Sequence, residues 1–153
     1  MIMNKEKSII ALNNLIEINN ERIEIYKTAK KITEENDLKD LFFEFEKTSA
    51  LFKSELVVEV EKMGGVAVYV IKKTNFVKRF WLNFKSSLTC KDVEDILNTL
   101  EYNEFLAIKS YKDILRDNFD YLTTELVSIL KSQQLLLVSH HDKVKKLGDL
   151  MLS

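Results

Sequence analysis

The side chains best suited to metal or acid–base chemistry are few and unevenly placed. His140 and His141 are adjacent and are the two histidines of the chain, while Glu101 and Glu104 lie three residues apart. Helical bundles that hold two metal ions take a Glu from each of two helices and a Glu-x-x-His pair from each of the other two. The residues three before the histidines are Leu137 and Val138, so no Glu-x-x-His occurs. A standard di-iron centre cannot be assembled from this sequence. A single metal or small ligand could draw on Glu104 and His140, with Glu101, Gln133 or Asn19 closing around it.

These residues belong to a wider pattern. The inward positions near the midpoints of four helical stretches are Asn19, Thr48 or Ser49, Asn103 or Glu104, and Gln133. Each stretch is therefore polar at one depth, with apolar turns on either side. Amides and hydroxyls stand where a hard cation would need anionic ligands. The commoner role of such a layer is mutual hydrogen bonding, or holding a buried water, which fixes helix register. The alternative is a remnant site built on Glu104 and His140. His141 falls on the neighbouring, more exposed face. Cys90 sits at an expected helix start, where a thiol pKa is lowered. With no histidine or second cysteine near it in sequence, it reads as a capping-region residue.

Long helices must position this layer. The chain has no proline and three glycines, Gly64, Gly65 and Gly148, so little interrupts its periodic stretches. The first predicted helix, about Glu6 to Thr33, repeats Leu12, Leu15, Ile16, Ile23, Tyr26 and Ala29 every three or four residues. The second, Leu38 to Met63, carries Leu41, Phe45, Phe52 and Leu56 on one face. Asn36 or Asp37 is expected to cap it and Gly64 to end it. A third runs from a capping start at Thr89–Asp92 to about Arg116. The fourth, from Tyr121 to about Leu147, has the seam Leu126, Leu130, Gln133, Leu137, His140, Val144, Leu147.

Connection lengths set the topology. Short turns make helices one and two antiparallel neighbours, and likewise three and four. Between the pairs lies a crossover over 64–89, long enough to travel the length of a helix. Within it, Val66–Ile71 reads as a short strand or an extended stretch packed over the bundle, and Asn75–Lys85 as a short amphipathic helix with Phe76, Phe80, Trp81 and Phe84. Two hairpins and one long crossover make an all-α, ferritin-like four-helix bundle, a single domain over 1–153.

Composition narrows the function classes. At 153 residues, 46% hydrophobic and with a formal net charge of −1, the chain suits a packed domain and lacks a nucleic acid binder's basic footprint. One cysteine excludes an internal disulfide. The longest apolar run, Val66–Ile71, is far short of a membrane span. Lys72, Lys73, Lys78 and Arg79 alternate with the crossover aromatics, as in membrane-surface or nucleic acid segments. Packing of those aromatics on the bundle is the simpler reading, and membrane association is not expected. A reduced, cytoplasmic setting is.

The segment Leu12-Asn13-Asn14-Leu15-Ile16-Glu17-Ile18-Asn19-Asn20-Glu21-Arg22-Ile23-Glu24-Ile25-Tyr26 resembles the first helix of a bacterial ferritin-like family classed as a domain of unknown function. Glu55-Leu56, Glu59-Val60, Gly64-Gly65, Trp81, Phe84-Lys85, Leu88-Thr89, Glu101 with Glu104, Tyr111 and the final His141–Leu147 extend the similarity. The Val66–Lys73 stretch is least like the family. The resemblance implies a four-helix bundle with a crossover and no established activity. Its likeness in shape to ferritins and rubrerythrins invites thoughts of metals or oxidative stress, against which the missing Glu-x-x-His pairs stand. The expectation is a non-catalytic, stress-related or protein-interaction module without cofactor. It would form a homodimer through aromatics of the crossover or first helix. The alternative is a bundle that binds a metal or small ligand in its polar layer.

Overall fold

With no glycine or proline before Gly64, the first half of the chain winds without a break except at one tight turn. The computed structural model describes residues 4–68 and 93–152. They form four helices: α1 (Lys5–Ile32), α2 (Asn36–Lys62), α3 (Val93–Asp117) and α4 (Thr124–Leu152). This is the all-α four-helix bundle that the periodicity predicted. The short amphipathic helix expected over 75–85, the capping start at Thr89–Asp92 and Cys90 lie outside the described residues.

The helix ends follow local chemistry and correct some expected boundaries. At α1, the Asn4 side chain accepts from the Lys7 amide at 3.2 Å. At α2, Thr33 Oγ1 accepts from the Glu35 amide, turning the chain early, so Asn36 is already helical and no side chain caps that end. Asp37 instead lies in the first turn, where a carboxylate complements the helix dipole. The α2 terminus is a Schellman arrangement. Gly64 takes φ +80°, its amide bonds Glu61 O, and the Gly65 amide bonds Val60 O. Helix α4 starts at Thr124 rather than Tyr121, because Thr123 Oγ1 accepts from the Leu126 amide. It also runs through Gly148, which is buried beside Leu97, instead of stopping at Leu147.

Beyond α2 the chain crosses toward α1. Asn13 acts there as a surrogate strand, donating to Val66 O and accepting from the Val68 amide, each at 3.1 Å. Over 65–68, the last residues described before 93, the chain is neither helix nor strand, and the remainder of the expected Val66–Ile71 stretch lies outside the described residues.

Contacts between helices define the topology. Ser8 meets Tyr121, Asn19 meets Tyr111, and Tyr26 meets Glu104, so α1 and α3 run antiparallel. Glu44 meets Lys143, Phe45 meets His140, and Phe52 meets Gln133, so α2 and α4 do too. The order is up-down-down-up, and the end of α2 and the start of α3 sit at opposite ends of the bundle. The core falls into two apolar clusters. One holds Leu12, Leu15, Leu56, Val60, Leu126 and Leu130; the other holds Ile25, Ala29, Leu38, Phe42, Leu100 and Val144. The polar layer lies between them.

Candidate functional site

Arg22 is the centre of that layer. The stripe Leu15, Asn19, Arg22, Tyr26 follows the helical three–four spacing, which carries the guanidinium inward to 1% exposure. On α3 the same spacing brings in Leu100, Glu104, Ala107 and Tyr111, all buried. Arg22 approaches Glu104 edge-on. Nη2 lies 2.8 Å from Oε1 and 3.1 Å from Oε2, and Nε lies 3.3 Å from Oε1. The Tyr26 hydroxyl donates to the same Oε1.

A chain of donors runs onward from this pair. Arg22 Nη1 donates to Asn19 Oδ1 at 3.3 Å, and Asn19 Nδ2 donates to Tyr111 Oη and Leu15 O, both at 2.9 Å. Tyr111 donates to Gln133 Oε1 at 2.6 Å, and Gln133 Nε2 reaches Phe52 O at 3.4 Å. Every bond points the same way, so each donor polarises the next. The network ties α1 and α3 to α4, and through one carbonyl to α2.

The electrostatics favour a charged guanidinium among neutral phenols. Burial works against the Arg22 charge, but Glu104 outweighs it and the Arg22 pKa is raised. Burial, then the neighbouring carboxylate, pushes Tyr26 well above its ordinary value. Tyr111 rises to about 12, again chiefly through burial. Neither phenol ionises near neutrality.

The predicted site residues separate into groups. Asn19, Glu104 and Gln133 join one network, but not at one depth: Asn19 and Gln133 meet at Tyr111, while Glu104 faces Tyr26, about two turns away along α3. Ser49 is buried but turns back to Phe45 O on its own helix. His140 does not bond Glu104; its ring stacks on Phe45, with centroids 4.0 Å apart. Burial, then repulsion from Arg22, lowers its pKa to about 4, so it is neutral at pH 7. Its Nδ1, Asn103 Nδ2 and Asn20 Nδ2 are buried without a hydrogen-bond partner among the described residues. Glu101 stands 3.5 Å from His141, not beside Glu104's carboxylate.

The donor set does not fit a metal pair. Both Glu104 oxygens already accept from a guanidinium, and beside the single His140 imidazole the other polar groups of the layer are amides, phenols and the Ser49 hydroxyl. Among the described residues, no group of three or more His, Cys, Asp or Glu side chains is placed to hold a metal ion. Sequence reasoning missed Arg22, Tyr26 and Tyr111 as members of this layer. The signal was present, since Arg22 lies on the stripe that Leu15 and Asn19 define.

Among the described residues, no helix is long and apolar enough to cross a membrane. No curated protein matches the sequence. The model of a domain of unknown function (DUF2383) matches residues 7–117, most of the bundle including Arg22, Glu104 and Tyr111, and the chain belongs to that family.

Proposed function

We propose that this is a non-catalytic, ferritin-like bundle whose polar layer is structural, and that it acts by binding other protein surfaces. The observation that carries the reading is the saturation of Glu104. Arg22 supplies the positive charge that bound metal gives to a carboxylate-lined bundle, and it does so from within the chain. A cation of the protein's own cannot be exchanged or change its redox state. The up-down-down-up order supports the ferritin-like description, and the interior chemistry supports a scaffold.

Elemental analysis of the purified native protein tests this. The reading expects iron, manganese and zinc well below one per chain, unchanged in Glu104→Gln. Stoichiometric metal that disappears in Glu104→Gln would overturn it.

The second reading, a ligand-binding layer, has one observation in its favour. Three buried polar atoms, His140 Nδ1, Asn103 Nδ2 and Asn20 Nδ2, have no partner among the described residues, and buried polar atoms ordinarily find one. A ligand there would shift the His140 ring resonances of the native protein on purification from cells compared with refolded protein. Identical spectra would end that reading.

A further inference from the structure

Helices α2 and α4 share an outer face that the rest of the described chain does not cover. The Glu44–Lys143 pair, at 2.8 Å, fixes their register. About two turns along, in opposite chain directions, Leu51 of α2 and Leu136 of α4 fall side by side. A further two turns bring Val58 beside Ile129. Leu51 is 56% exposed, Leu136 47%, Val58 48% and the adjoining Leu135 71%. The positions between them on α4 are short serines, Ser132 and Ser139, which allow close approach of another helix.

The charges around this strip are self-complementary. On α2, exposed Lys47 and Glu55 lie about one turn to either side of Leu51. On α4, exposed Lys146 and Glu125 lie about three turns to either side of Leu135 and Leu136. A two-fold axis crossing both helices at the leucine level therefore places Lys47 against the mate's Glu55, and Lys146 against the mate's Glu125. Each leucine meets its own copy. The face is also large enough. Helices of 27 and 29 residues, each about 40 Å long and 8–10 Å apart, present roughly 800 Å², one partner's share of a standard interface.

We propose that the α2/α4 face is the contact with a second copy of this chain, packed antiparallel about that axis. The proposal rests on the interaction-module reading and gives it a surface and an occupant.

Sedimentation equilibrium of the native chain, Leu51→Asp/Leu136→Asp, Lys47→Glu and Lys47→Glu/Glu55→Lys is the test. The native chain should dimerise, and the double aspartate variant should weaken dimerisation at least tenfold. Lys47→Glu should weaken it and the charge-swapped variant restore it. Circular dichroism and melting of each variant confirm an intact bundle, since all four positions are solvent-exposed. A native chain that stays monomeric up to millimolar concentration overturns the proposal, as does a dimer indifferent to Leu51 and Leu136. A metal-free monomer would overturn this contact while leaving the structural reading of the polar layer in place.

Discussion

Arg22 on α1 and Glu104 on α3 form an edge-on ion pair, Nε and Nη2 both directed at the carboxylate, with the side chains 1% and 0% exposed. A pair so deep carries a large desolvation cost, which its attraction has to offset. What it supplies is selectivity. Sliding α1 by one turn against α3 would strand a guanidinium and a carboxylate in separate apolar clusters. A purely apolar interior would tolerate that slip far better.

The Tyr111 hydroxyl accepts from Asn19 and donates to Gln133, so it joins α1 to α4. Tyr111→Phe removes both bonds and leaves Asn19 and Gln133 short of partners in a dry interior. Urea denaturation should show a loss of about 1–3 kcal/mol, with the m-value unchanged.

His140 makes stability depend on pH. Its pKa is near 4 folded and about 6.5 unfolded, so protons bind preferentially to the unfolded chain. The stability that neutral His140 permits is therefore complete above pH 6.5 and falls away as the pH drops toward 4. A shift of this size corresponds to about 3 kcal/mol. His140→Phe keeps an aromatic ring against Phe45 and cannot be protonated. Melting curves between pH 4 and 7 should be flatter for His140→Phe than for the native protein by about that amount.

Two adjacent glycines should respond to alanine for different reasons. A Cβ at Gly64 meets nothing within 4 Å, so Gly64→Ala costs only the left-handed backbone, about 1 kcal/mol. A Cβ at Gly65 would stand 2.8 Å from Ile9 Cδ1, and that side chain must move. Ile9→Ala, which removes all three Ile9 atoms within 3.0 Å, should therefore lessen the cost of Gly65→Ala and not that of Gly64→Ala. Thermal melts of the four variants read this directly.

Asn13 holds the chain beyond α2 with two side-chain bonds. Asn13→Ala should speed hydrogen exchange at the Val68 amide at least tenfold and leave exchange at mid-α1 amides unchanged. Equal protection in both proteins would remove Asn13 from that role.

Much of this architecture was legible in the residues. Leu126 through Val144 appeared as a buried seam because α4 packs one stripe inward, and spacing alone reveals a stripe. The same spacing turned Asn19, Glu104 and Gln133 inward, though Glu104 lies about two turns from the level that Asn19 and Gln133 share with Tyr111. The partners were harder to read. Arg22 sits among Glu17, Glu21, Glu24 and Lys27, and a cation in such company looks solvated. Only the carboxylate facing it from α3 makes burial affordable, and that contact joins residues 82 apart in sequence. His140 lies on the seam beside Glu104's level, but side-chain direction decided its partner, and it turned to Phe45. Helix ends shifted where hydroxyls of Thr33 and Thr123 set turns that periodicity does not encode.

The central claim is that Arg22 and Glu104 act as one unit. A double-mutant cycle with Arg22→Met, Glu104→Gln and the combined variant, followed by urea denaturation, measures this most directly. Each single change should cost about 3–5 kcal/mol. The combined change should cost far less than their sum, leaving a coupling of about 2 kcal/mol or more. Losses that simply add would contradict it.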